Sequence, residues 1–131
     1  YITWIPISKK RLKSRGYDQS RLLAEALGEY FGVPVFEALE KISDNPPQSG
    51  LDAAARKGNV LGVYRLKQTS DITLSGKPVL LVDDICTTGA TASEAAKTLL
   101  LLKPSKISAL FIAKTENKYE NAKKRLKMTK R

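Results

Sequence analysis

In the stretch "VLLVDDICTTGAT", residues 79–91, an apolar run ends on two adjacent carboxylates, Asp83 and Asp84, and then passes into small and hydroxylated residues. Such an order has the parts needed to hold a sugar phosphate. Gly89 lets the backbone turn closely around a ligand. Thr87, Thr88 and Thr91 offer hydroxyls, and the unpaired amides at the start of a following helix attract a phosphate and donate to its oxygens. Carboxylates would repel that phosphate in direct contact, so a group rich in hydroxyl donors belongs between them. The vicinal diol of a ribose fills that role, and the spacing points to a ribose 5-phosphate held at both ends.

Other chemistries that use acids after a strand lack their remaining parts here. The chain contains no G-x-x-x-x-G-K-[ST] phosphate loop and no G-x-G-x-x-G fingerprint, which argues against a nucleoside triphosphatase and a dinucleotide-binding domain. A phosphate-accepting receiver domain needs its acid pair near the first strand and a further aspartate after the third. The plain alternative is a helix capped by Asp or Thr with incidental acids.

The acids and the loop have to be positioned by a fold that 131 residues can build. With 42% hydrophobic and 7% aromatic residues the chain suits one domain with a modest core. It has no apolar run of spanning length and no signal-peptide pattern at its start, so the expectation is a soluble cytoplasmic protein without a membrane span. A single cysteine, Cys86, excludes an internal disulfide. Without histidine, a zinc site is not expected and imidazole chemistry is excluded. The chain begins at Tyr1 and enters an apolar segment at once, as a fragment of a longer protein would.

A formal charge of +10 draws polyanions, whether nucleic acid or phosphorylated metabolites. The cations concentrate in "SKKRLKSR" near the start and "AKKRLKMTKR" at the end. The second cluster reads as a solvated face.

"YITWIPI" reads as a short strand closed by Pro6 and followed by a basic loop. Asp18 or Ser20 can cap a helix running to about Phe31, with Leu22, Leu23, Ala26, Leu27 and Tyr30 on one face and Gly32 as its stop. "VPVFEAL" is a second strand candidate. Residues 43–59 carry two prolines and two glycines and read as a long excursion. "VLGVYRLK", "VLLVDD" and "KISALFIAKT" are further strands, with a helix from about Ala90 to Leu102 on one apolar face that includes Ala92, Ala95, Ala96, Leu99 and Leu100. Alternation of strands and helices implies an α/β fold with a mostly parallel central sheet flanked by helices. Ligands of such sheets bind at the carboxyl ends of strands, where Asp83 and Asp84 stand. The division expected is a domain over residues 1–115 and a basic tail or helix over 116–131.

Taken as a whole, "VLLVDDICTTGAT" resembles the signature of the type I phosphoribosyltransferases, which bind 5-phosphoribosyl 1-pyrophosphate with magnesium. "IPISKKRLKSRG", "RGYDQSRLLAEAL" and "PPQSGLDAAARKGNVLGVYRL" are similar to the ComF branch, proteins associated with competence and DNA uptake in natural transformation. The resemblance covers residues 3–114.

It implies a type I phosphoribosyltransferase-like fold with a mobile hood over the ligand. Asp83 and Asp84 would bind the ribose hydroxyls, and Thr87, Thr88, Gly89, Ala90 and Thr91 the 5-phosphate. Ser8, Lys9 and Lys10 match the pyrophosphate position, on the loop after the first strand. Arg15, Gln48, Arg56 and Asn59 match recurrent positions of the branch on the hood or acceptor side. Magnesium would be held through the ligand.

The resemblance also carries departures. Asp18 stands where the branch usually shows asparagine, and the cysteine-rich zinc finger common in the branch is absent from this sequence. Thr87 occupies the position at which purine-salvage relatives place an acid, which removes support from a purine acceptor and leaves no catalytic base in view. Two functions therefore stand open. One is a phosphoribosyltransferase displacing pyrophosphate from the ribose. The other is a non-catalytic, nucleotide-responsive factor that binds single-stranded DNA and meets other competence-machinery proteins. The basic "SKKRLKSR" cluster suits pyrophosphate in the first case and a general polyanion surface in the second. Of the remaining conspicuous residues, Cys86 reads as packing under the loop, Trp4 as core, and Tyr17 stays open as a base-stacking residue.

Overall fold

Placing two acids at a strand end requires a sheet that stops beside them, and this chain builds one from few strands. The structure, a computed structural model, describes residues 1–43, 60–67 and 73–115. In chain order these form β1 (Ile2–Trp4), α1 (Lys9–Arg15), α2 (Gln19–Phe31), β2 (Leu39–Lys41), β3 (Val60–Leu61), β4 (Tyr64–Leu66), β5 (Pro78–Cys86), α3 (Ala90–Leu99) and β6 (Lys106–Lys114). Strands β1, β5 and β6 make a parallel sheet in the order β1-β5-β6, and β2, β4 and β3 a separate antiparallel one.

Helices cover the parallel sheet on both faces, which is why Val79 to Val82 are apolar without alternation. Val79 and Leu81 pack with Ala95 and Leu99 of α3 and with Leu39, Tyr64 and Leu74. Val82, Ile2 and Trp4 pack with Ala24 of α2 on the opposite face. Burial of these side chains is the main source of stability, at about 1.5–3 kcal/mol for each large one.

Strand β5 takes in both acids, as the sequence pattern predicts, and runs on past them to Cys86. On one side its pairing with β6 continues through Asp83↔Phe111 and Cys86↔Lys114. On the other side, pairing with β1 stops at Trp4↔Val82, because Pro6 turns the chain away. Asp83 and Asp84 thus stand past the end of β1, on a flank where β5 has no paired strand.

Three expectations change in the structure. The segment after β1 is a helix rather than a loop, since Ser8 caps it through Oγ, which accepts from Arg11 N at 3.2 Å, and Gly16 ends it in the left-handed region. "VLGVYRLK" is not one strand but a two-residue hairpin, with Gly62 at φ 71° as the first turn residue between β3 and β4. "VPVFEAL" pairs only through the single parallel bridge Ile2↔Val35 before β2 begins at Leu39. Pro34 has no amide to give a ladder, which limits pairing there.

Helix α2 runs from Asp18, one of the two predicted caps, to Gly32, and its packed face matches the expected one only at Leu23 and Leu27. Ser20, Ala24 and Gly28 are its buried residues, whereas Leu22 and Tyr30 face solvent. Leu100, expected on the packed stripe of the last helix, instead opens a 3-10 turn just past the end of α3 and is exposed.

The small residues let α2 approach the chain closely. A Cβ at Gly28 would lie 2.1 Å from Val35 Cγ2 and 2.8 Å from Val33 O. Gly28→Ala gains about 1 kcal/mol in helix propensity, but the backbone oxygen cannot easily yield. A net loss of about 2 kcal/mol is expected, read as a lower midpoint in urea denaturation. An unchanged midpoint would mean that α2 packs less tightly against residues 33–35.

Candidate functional site

Each of the two acids spends one oxygen on the protein and leaves the other open. Asp83 Oδ1 accepts from Ser20 Oγ at 2.9 Å and from the Asp84 amide at 2.9 Å. Asp84 Oδ1 accepts from the Ile85 amide at 2.9 Å. Neither Oδ2 receives an N–H or hydroxyl donor among the described residues, and the two carboxyls lie within hydrogen-bond reach of each other. Two adjacent acceptors with one open oxygen apiece match the two hydroxyl donors of a vicinal diol.

Burial pushes the Asp83 carboxyl up to about 6, with the neighbouring Asp84 carboxylate adding to the rise and the Ser20 and Asp84 donors opposing it. The Tyr64 phenol is pushed up to about 12, chiefly by burial and further by the charge of Asp83. Tyr64 is thus kept neutral beside Asp83.

The following loop presents its backbone. Gly89 adopts φ 83° as the N-cap residue of α3 and supplies no side-chain cap. The Ala90 amide donates to Thr88 Oγ1 at 3.3 Å, while the amides of Thr88, Gly89 and Thr91 have no protein partner among the described residues. Thr87, Thr88 and Thr91 are exposed around them. Open donors at a helix start, beside a residue without a Cβ, form a cradle for an anion. Cys86 is the last residue of β5 and half-buried below this loop.

The pyrophosphate candidates cluster at the start of α1. Ser8 is buried and its hydroxyl is engaged as a cap, so Lys9 and Lys10, both exposed, are the accessible groups. They line a cavity of about 330 Å³ together with Glu40, Lys41 and Arg65 of the antiparallel sheet. Glu40 bridges the two sides, with Arg65 Nη2 at 2.9 Å and Lys9 Nζ at 2.9 Å. Those hydrogen bonds, from Arg65 first and Lys9 second, hold its carboxyl down at about 2.

Arg15 is the exposed last residue of α1. Gln48, Arg56 and Asn59 lie outside the described residues, as do residues 116–131. Trp4 is core, with the Arg21 guanidinium 5.6 Å from its ring centroid, and Tyr17 is exposed and lines an adjoining cavity of about 500 Å³ that shares Lys9, Glu40 and Lys41 with the first.

Ser20, Glu40, Lys41, Arg65 and Tyr64 are the neighbours that sequence reasoning did not place in the site. The one sequence signal available for Ser20 was its candidacy as a cap. In the event Asp18 caps α2, accepting from the Ser20 and Arg21 amides, which frees the Ser20 hydroxyl for Asp83.

No family model matches the chain. Among curated proteins it is 32% identical over 100 residues to DNA utilization protein YhgH of Escherichia coli, a match covering 76% of this chain and 42% of that protein. It is 35% identical over 96 residues to Competence protein ComFC of Bacillus subtilis, covering 73% and 36%, and 29% identical over 111 residues to Competence protein F of Haemophilus influenzae, covering 84% and 48%. The chain belongs to the ComF family. It spans less than half the length of these ComF relatives.

A solved structure of an adenine phosphoribosyltransferase superimposes with a TM-score of 0.58 at 18% identity, covering 94% of this chain and 61% of that one. This ComF chain therefore has the type I phosphoribosyltransferase fold. No helix among its described residues is long and apolar enough to cross a membrane.

Proposed function

We propose that this ComF chain binds 5-phosphoribosyl 1-pyrophosphate with magnesium and serves the handling of incoming DNA. The observation that carries the ligand reading is the pair of open Oδ2 atoms on Asp83 and Asp84 beside the unpartnered amides of Thr88, Gly89 and Thr91. The diol sits on the acids, the 5-phosphate on the amides, and the pyrophosphate near Lys9 and Lys10. The second half of the proposal rests on the names of the relatives, which concern DNA utilization and competence.

Among the described residues no group of three or more Asp, Glu, His or Cys side chains could hold a metal. Magnesium keeps waters and takes ligands from substrate phosphates, so in this reading it would be held through the bound ligand. When bound it would neutralise pyrophosphate charge and so ease departure of that group from the ribose. This chain's own residues would bind and orient the sugar and shield the pyrophosphate with Lys9 and Lys10.

Isothermal titration with the activated ribose and magnesium tests the ligand reading, with binding expected in the micromolar range and its absence at millimolar ligand removing it. Acceptor-dependent release of pyrophosphate would establish turnover.

A second reading, a non-catalytic single-stranded DNA-binding factor, draws support from α1. Its Lys9, Lys10, Arg11, Lys13 and Arg15 are all exposed. A gel shift whose affinity falls steeply with salt would favour it.

A further inference from the structure

We propose that Ser20 is a positioning residue for the ribose end of the site, pinning Oδ1 of Asp83 so that Oδ2 is held toward the ligand. The inference rests on the ribose-binding reading of Asp83 given above. Ser20 is 3% exposed, and its hydroxyl donates to Asp83 Oδ1 at 2.9 Å across 63 residues of sequence. Strand β1 ends at Trp4, leaving that flank of Asp83 without a strand neighbour, and the N-terminal turn of α2 fills the gap.

Ser20 is itself fixed from behind. Its amide donates to Asp18 Oδ1 at 3.1 Å, and Asp18, 7% exposed, accepts at Oδ2 from the Ile7 amide at 3.2 Å. A continuous series of sheltered hydrogen bonds therefore runs from Ile7, next to the residues proposed for pyrophosphate, through Asp18 and Ser20 to the ribose acid. The terminal torsion of an aspartate is broad and roughly two-fold. Without the Ser20 donor, the Asp83 carboxylate keeps the adjacent Asp84 amide and its contact with the Asp84 carboxyl, loses its one tie to α2, and turns more freely. The charged and titratable neighbours of Asp83 are Asp84 on its own strand and Tyr64 on β4, and neither replaces that donor.

The experiment titrates Ser20→Ala separately with ribose 5-phosphate and with inorganic pyrophosphate, each with magnesium, against the wild-type chain. Affinity for ribose 5-phosphate is expected to fall about tenfold, as for loss of a hydrogen bond to a charged group, while pyrophosphate affinity stays within about twofold. Ser20→Cys, which keeps the size and offers a weak S–H donor, is expected to fall between the two. It also supplies the comparison should the alanine variant not fold.

The pH midpoint of ribose 5-phosphate binding is expected to move upward in Ser20→Ala, because a donor favouring the ionised carboxylate is gone. Unchanged ribose 5-phosphate affinity, or equal losses for both ligands, would overturn the positioning role while leaving the ligand reading in place. A wild-type chain that binds pyrophosphate but not ribose 5-phosphate would instead remove the ribose reading and Ser20's role with it.

Discussion

Replacing Asp83 and Asp84 together by asparagine is expected to weaken binding of the activated ribose at least about a hundredfold and, at the same time, to stabilise the fold at neutral pH. The first effect follows from converting two charged acceptors into neutral ones, since hydrogen bonds to charged groups contribute about 1.5–3 kcal/mol each. The second follows from Asp83. Its carboxyl stands at about 6 rather than the usual 3.8, chiefly through burial, so its ionised form is disfavoured in the folded chain. Discounted for its contact with solvent, the penalty amounts to about 1–2 kcal/mol, and its removal should raise the melting temperature by about 5 °C. Calorimetric titration and thermal melts on one preparation test both halves. Loss of binding accompanied by a large loss of stability would mean that the acids hold the fold and not the ligand.

Lowering the pH should drive binding and stability in opposite directions. Asp83 accepts hydrogen bonds from a diol best when ionised, so affinity is expected to be flat above pH 7 and to fall about tenfold for each unit below about 6. For stability the sign is reversed. A carboxyl raised in the folded state favours folding when protonated. That contribution is complete below the unfolded value of 3.8 and is lost as the pH rises through about 6.

The difference in melting temperature between wild type and Asp83→Asn should accordingly be largest above pH 7 and shrink toward pH 4. Using this difference cancels the contributions of the other carboxylates, including Glu40, whose carboxyl is held at about 2 by Arg65 and Lys9. Affinity that stays constant from pH 8 to 5 would show that the charge of Asp83 is not needed by the ligand.

The stability gain and the binding loss share one cause. Asp83 is an acid kept in a half-buried place where the protein supplies two donors to one oxygen and none to the other. A chain shaped only for stability would have no use for that open oxygen. Gly89 carries the same mark, since it starts α3 without a side-chain cap and leaves neighbouring amides unpaired, where a serine or aspartate would ordinarily improve the helix.

Much of this was legible in the order of residues, for a local reason. An apolar run, paired acids, a glycine and hydroxylated residues occupy thirteen consecutive positions, 79–91, so strand, turn and helix start are decided by neighbours in the chain. The caps of α2 at Asp18 and Gly32 were readable for the same reason. What the sequence could not decide depended on distant partners. The buried face of α2 is set by how Ala24 and Gly28 meet Trp4 and the 33–35 segment, and a local periodicity of large apolar residues pointed to Leu22 and Tyr30 instead.

The split of "VLGVYRLK" into a hairpin depends on β2 pairing with β4, across more than twenty residues. Ser20 reaches Asp83 only because β1 stops short of β5, and Glu40 and Arg65 come to Lys9 only when the antiparallel sheet lies against α1. The sequence by itself set out the groups proposed to take a sugar phosphate, because those groups are contiguous. Tertiary structure alone decided how Asp83 is held, because the Ser20 hydroxyl that occupies its Oδ1 is brought there by the packing of β1, β5 and α2.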